Sequence, residues 1–248
     1  MNARRVFSLV FCLLVAGTAS AASYHSDGRC RDGCNYYAGD TAHINVVNAY
    51  HLGKAQAKLR SKFFGPAMND INFILRHFPN HPQALMLLDE AGRGQGQPDL
   101  AQRYFKAAID AYPNEGMTYL TYGMFLQKRG KLADAIEQYQ LALKMNPNLP
   151  DGHYNLGLAL VASKRYAEAN EHALAAYRLG HPMPGLRNQL QRVGAWNPDA
   201  APKPVAAPSA AAAAPSAPVS PAAAAPPSTK ATAPITAEPA SPPVPEQP

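Results

Sequence analysis

From Tyr119 to Pro147 the apolar positions fall at helical spacing, in two runs parted by Gly130-Lys131. Tyr119, Tyr122-Gly123 and Leu126 lie three to four residues apart, on one face of a helix. Gly130 is a permissive turn residue, and Ala135, Tyr139, Ala142 and Leu143 mark the buried face of a second helix. Pro147 ends that helix, because it has no amide hydrogen for the ladder. The stretch predicts a helix–turn–helix unit.

The unit recurs. Pro79, Pro113 and Pro147 are spaced 34 residues apart, and cutting after them gives units 48–81, 82–115, 116–149 and 150–183. The twentieth place holds Ala67, Ala101, Ala135 and Ala169. The eighth holds Ala55, Asp89, Gly123 and Gly157, and the twenty-fourth Ile71, Phe105, Tyr139 and Ala173. The twenty-seventh holds Ile74, Ala108, Ala142 and Ala176. Small residues where helices cross let a neighbour's large side chain seat against the backbone.

With Tyr119, Tyr122, Gly123, Leu126, Ala135, Tyr139, Ala142 and Pro147, the third unit resembles the tetratricopeptide repeat (TPR). Gly157, Leu160, Ala169 and Ala176 continue the likeness in the fourth, and it weakens towards the first. The resemblance implies an all-α, right-handed TPR solenoid of about four helix-turn-helix repeats, with 184–196 as a C-terminal capping helix. In that helix Leu186, Leu190 and Val193 form the apolar stripe, and Trp196 packs at its end. Asp89 breaks the small-residue rule, and Gly92-Arg93-Gly94-Gln95-Gly96-Gln97 reads as a glycine-rich loop in a looser second pair. His51 and Lys54 give unit one a wetter outer face.

Composition changes the picture at the two ends. Residues 1–22 carry Arg4 and Arg5, an apolar run from Val6 to Ala16 and the small residues Ala19-Ser20-Ala21-Ala22, the three parts of a secretory signal peptide. The run is short of the roughly 20 residues a membrane-spanning helix needs. The expectation is an exported chain, periplasmic or secreted, with no membrane span after cleavage. Segment 23–47 reads as irregular, with Tyr36-Tyr37 expected to plug the open end of the solenoid. In an oxidising compartment Cys30 and Cys34 are expected to form a disulfide. Free thiols, or a zinc site with His25 and His43 at non-standard spacing, are the alternatives. Residues 197–248 read as a disordered tail, since 14 of the chain's 24 prolines follow Asp199 with no aromatic residue among them. A formal net charge of +6 with no dense basic stripe makes nucleic acid an unexpected partner.

The chain shows no phosphate-cradling glycine loop, HExxH or nucleophile elbow, so no enzyme and no cofactor is expected. The eight histidines read as surface or turn residues. The TPR resemblance implies a concave groove lined by the first helix of each unit. By period its residues are Gln83, Met86 and Glu90; then Met117, Leu120, Met124 and Gln127; then Asp151, Tyr154, Asn155 and Leu158. A clamp for a partner's terminal carboxylate is disfavoured, because only Asn155 matches such a set. The groove instead reads as apolar and methionine-rich, suited to a protein or peptide partner. Filling by residues 23–47 or by a second copy (a homodimer) is the alternative, as is a role for some of these residues in the core. At the level of function, a non-catalytic scaffold aiding assembly of a pilus, secretion or outer-membrane complex stands against a metal- or redox-active cysteine module or a self-associating oligomer.

Overall fold

Every unit turns on the same backbone device. At the fifteenth place stand Lys62, Gly96, Gly130 and Lys164, all left-handed, with φ of 60°, 73°, 75° and 59°. The amide one residue later donates five residues back in each case: Phe63 to Lys58 (2.8 Å), Gln97 to Gly92 (2.7 Å), Lys131 to Leu126 (2.9 Å) and Arg165 to Leu160 (2.9 Å). The fifteenth-place amides donate to Leu59, Arg93, Gln127 and Val161. This is the Schellman termination, which satisfies the last carbonyls of a helix. Two of the four turns place lysine where L-residues are strained by roughly 1–2 kcal/mol. Lys62→Gly and Lys164→Gly are therefore each expected to stabilise the protein by about 0.5–1 kcal/mol after the entropy glycine adds to the unfolded chain, read as a higher urea midpoint; a lowered midpoint would contradict this.

The computed structural model describes residues 22–24 and 30–200; the proposed signal peptide before Ala22 and the tail from Ala201 onward lie outside them. A short antiparallel ribbon comes first, β1 (Ser23–Tyr24) against β2 (Cys30–Asp32). The helices follow in pairs. The first pair is a continuous rod of α1 (Thr41–Val47), a π-helical turn (Asn48–Leu52) and α2 (Gly53–Arg60), against α3 (Phe64–His77). Next come α4 (Pro82–Gly94) with α5 (Leu100–Ala111) and α6 (Gly116–Lys128) with α7 (Leu132–Met145). Last are α8 (Pro150–Ala162) with α9 (Tyr166–Arg178), and α10 (Gly185–Arg192). The architecture is an all-α solenoid of helix–turn–helix pairs with a short strand pair added.

The period fixes the core. Ala67, Ala101, Ala135 and Ala169 are at most 1% exposed, and Ile71, Phe105, Tyr139 and Ala173 are fully buried. A β-carbon added to Gly123 would stand 2.5 Å from Tyr139 Cε1. In unit four Ala173 lacks that bulk, and Leu186 of α10 comes up against Gly157 instead. The cap is thus built into the last repeat through Leu186 and Leu190, both fully buried.

Several expectations are corrected. Segment 23–47 is not irregular throughout: Asp40 accepts a hydrogen bond from the Ala42 amide, and α1 starts there, ahead of the proposed unit boundary at 48. Gly92 and Gly94 lie inside α4, not in a loop, and the turn is confined to the residues after Gly94. They allow close approach: a β-carbon on Gly92 would stand 2.8 Å from the Gln97 carbonyl, and one on Gly94 would strike the Phe64 ring. Val193 follows α10 and is 44% exposed, so it leaves the apolar stripe. Trp196 is half-buried, edge-on to Tyr177 at 6.0 Å and under the Arg187 guanidinium.

The N-terminal segment is tied down by the helix ends. The Gly33 and Cys34 amides donate to the carbonyls of Arg76 (2.8 Å) and His77 (2.7 Å), the open C-terminal acceptors of α3. Tyr112 Oη donates to the Gly33 carbonyl, and the Tyr36 amide to Asn80 Oδ1 at 2.8 Å. Tyr36 packs on His81 at 4.4 Å and edge-on to Phe78 at 6.1 Å.

Candidate functional site

The first helices of units two, three and four face one cleft of about 620 Å³. From α4 come Pro82, Gln83 and Met86, from α6 Met117, Leu120, Thr121 and Met124, and from α8 Asp151, Tyr154, Asn155 and Leu158. Met86, Leu120 and Tyr154 share the fifth place of their units, so the period that builds the core also points one residue per helix into the cleft. Met124 is 42% exposed, whereas Leu120 (3%) and Tyr154 (6%) form the floor.

Two expected members stand elsewhere. Glu90 shares the ninth place with Met124 and Leu158 but is exposed and does not line the cleft. Gln127 is turned to the helix pair: its Oε1 accepts the Tyr139 hydroxyl at 2.8 Å and satisfies the one polar atom of that buried ring. The period places residues on a helix face but does not tell which end of the face the cleft reaches.

Three lining residues come from outside the repeat helices. Tyr37 reaches in from the N-terminal segment, edge-on to Tyr36 at 5.2 Å, and stands beside Thr121. Its hydroxyl is buried beside Thr121, and burial raises its pKa to about 12. The segment therefore contributes to the concave wall as well as to the end of the solenoid. His181 and Met183 come from the turn between α9 and α10, with Met183 57% exposed. His181 stacks on Tyr154 at 3.9 Å and accepts the Met183 amide at Nδ1 (3.3 Å). Tyr37 was singled out in the sequence with Tyr36, and the His181–Met183 turn is marked there by proline standing at 182, one place later than the 34-residue spacing from Pro147 predicts.

The histidines are not all surface residues. His81 is fully buried and caps α4: its Nδ1 accepts the Ala84 amide (3.2 Å) while Nε2 faces Asn48 Oδ1 at 2.8 Å. Burial lowers its pKa to about 4, so it is neutral at pH 7. His153 and His172 face each other across α8 and α9 with Nδ1 atoms 2.9 Å apart, and His153 Nε2 donates to the Pro147 carbonyl. Burial and the His153 neighbour hold His172 at about 4, which keeps the pair neutral as well. These rings join helices and stand outside the cleft.

Among the described residues no group of three or more His, Cys, Asp or Glu could hold a metal, and no helix is long and apolar enough to cross a membrane. Of the alternative zinc set, His25 and the side chain of Cys30 lie outside the described residues, and His43 packs on His77 and Phe78.

A family model described as "TPR repeat" matches residues 126–164, the second half of unit three and the first half of unit four. The peroxisomal targeting signal receptor of Candida albicans is 29% identical over 82 residues, 33% of this chain and 14% of that protein. Its counterpart in Candida glabrata is 32% identical over 72 residues, 29% of this chain and 12% of that protein. The chain thus spans only about an eighth of the length of these curated relatives. A solved structure titled as a functional characterisation of Pseudomonas aeruginosa PilF aligns with a TM-score of 0.46 at 18% identity, covering 60% of this chain and 70% of that one. YrrB, described as a TPR protein with an unusual peptide-binding site, aligns at 0.41 and 20% identity, over 57% and 73%.

Proposed function

The chain is a tetratricopeptide-repeat protein, and we propose that it is a non-catalytic scaffold that binds an apolar protein or peptide segment in the cleft between α4, α6 and α8. The observation that carries this reading is the cleft wall itself: Met86, Met117, Met124 and Met183 around a floor of Leu120, Tyr154 and Leu158. Thioether side chains adapt to varied apolar partners, and an open apolar concavity of this size on a rigid helical frame is suited to hold one. Its place is the cell envelope, in the assembly of a pilus, secretion or outer-membrane complex. That part of the proposal rests on the signal-like residues 1–22 and on the spacing of Cys30 and Cys34, a pair suited to a disulfide in an oxidising compartment.

Peptides selected from a random library on the full chain are expected to carry spaced apolar residues. They should bind Met124→Glu at least about tenfold more weakly, a loss of about 1.4 kcal/mol. Met124 is exposed, so helicity by circular dichroism should not change. Equal binding by wild type and Met124→Glu would remove the cleft from the function.

A further inference from the structure

The cleft is apolar but not electrically neutral. Asp151 is its one acidic lining residue, and none of the described lining residues is lysine or arginine. The carboxylate sits in the first turn of α8. It is 58% exposed, with Oδ1 3.4 Å from His181 Nε2. His181 Nδ1 accepts the Met183 amide, so Nε2 is the ring nitrogen on the Asp151 side.

A second acid stands beside the cleft at α6. Glu115 accepts the Met117 amide (3.3 Å) and Asn35 Nδ2 (3.3 Å), and its charge acts on Tyr37. Helix N-termini carry about half a positive charge each, so Glu115 and Asp151 each leave a surplus of about half a negative one. The cations on α4 and α6, Arg93 and Lys128, gather with Arg129 on Asp89 towards the other ends of these helices.

On the reading of the cleft as a peptide site, we infer that it selects an apolar segment carrying a lysine or arginine, with Asp151 as the specificity-determining residue. The cation pairs with the Asp151 carboxylate at the rim while flanking apolar side chains enter the methionine-lined floor. Anionic segments and free terminal carboxylates meet the same carboxylate as a repulsion, which excludes them as a difference of affinities.

The test uses the full chain and fluorescent leucine- and methionine-rich peptides, identical but for one central Lys, Gln or Glu, each with an amidated or a free C-terminus. Wild type is expected to bind the Lys peptide about tenfold more tightly than the Glu peptide, with amide preferred over free acid, and the gap should narrow in high salt. Asp151→Asn should cut the Lys-over-Glu preference to about threefold or less, the remainder being set by Glu115. If the Gln peptide binds but wild type shows no charge preference, or the preference is undiminished in Asp151→Asn, the inference is overturned and the cleft reading stands. If no peptide of the set binds, or if Met124→Glu leaves the Gln peptide's affinity unchanged, the cleft reading fails and takes this inference with it.

Discussion

Gly123→Val is expected to destabilise the protein by about 3 kcal/mol, the upper end of what overpacking a rigid interior ordinarily costs. An added β-carbon would meet Tyr139 Cε1 at 2.5 Å and Cδ1 at 2.6 Å, closer than such atoms ever approach. The ring has nowhere to go. Tyr139 is fully buried, and its hydroxyl is fixed on Gln127. Gly123→Ala makes the same first contact but gains about 1 kcal/mol of helix propensity, so its net loss should be smaller. Urea unfolding of Gly123→Val, Tyr139→Leu and the double variant checks the cause. The double should be more stable than the sum of the singles by about 1 kcal/mol, because the smaller side chain vacates the clash. A loss below about 0.5 kcal/mol for Gly123→Val would mean that the α6–α7 contact yields.

That contact also explains what the sequence made readable. A rule of small residue against large side chain leaves a mark at a fixed period, so the eighth, twentieth and twenty-fourth places betrayed the helix pairs directly. The turn was readable only where it used glycine. Gly96 and Gly130 signal a left-handed residue, whereas Lys62 and Lys164 adopt the same conformation with a residue type that carries no such signal. Gly92 and Gly94 misled in the opposite sense, since glycine marks either a turn or a close approach and only the position of Phe64 and Leu100 decides between them. The start of α1 had a readable cap in Asp40, but the apolar pattern of the first helix is weak because its outer face has no earlier repeat to pack on.

The cleft was half legible for the same reason. Residues placed by period, Met86, Met117, Leu120, Met124, Tyr154, Asn155 and Leu158, come together on it. Tyr37, His181 and Met183 arrive through contacts outside the period: Asn35 and Tyr36 on Asn80 for the first, the stack of His181 on Tyr154 for the others. Gln127 was misassigned because its partner, the Tyr139 hydroxyl, lies on the next helix.

Asp89 is the place where unit two breaks the small-residue rule, and its partners should respond unequally to mutation. The side chain is fully buried, with Oδ1 accepting Arg129 Nη1 at 3.0 Å and lying 3.5 Å from Arg93 Nε, and with Oδ2 3.6 Å from Lys128 Nζ. Arg129→Ala removes the one hydrogen-bonded cation and leaves a buried carboxylate with two looser partners. Stranding a buried charge costs about 3–5 kcal/mol, and the remaining lysine and arginine should hold the loss near 3 kcal/mol. Asp89→Ala removes the charge itself and restores a small residue, as at Ala55 in unit one. The three cations keep water, being 25–51% exposed, so that variant should lose only about 1 kcal/mol. Once the carboxylate is gone, deleting Arg129 should have little further effect, so the double variant should resemble Asp89→Ala alone. Equal losses for the two single variants would instead identify a simple pairwise bond, and Asp89 would then be a stabilising substitution and not a tolerated charge. On the unequal outcome, Arg129 exists to neutralise Asp89, and unit two is held by an ion cluster where unit three is held by close packing on Gly123.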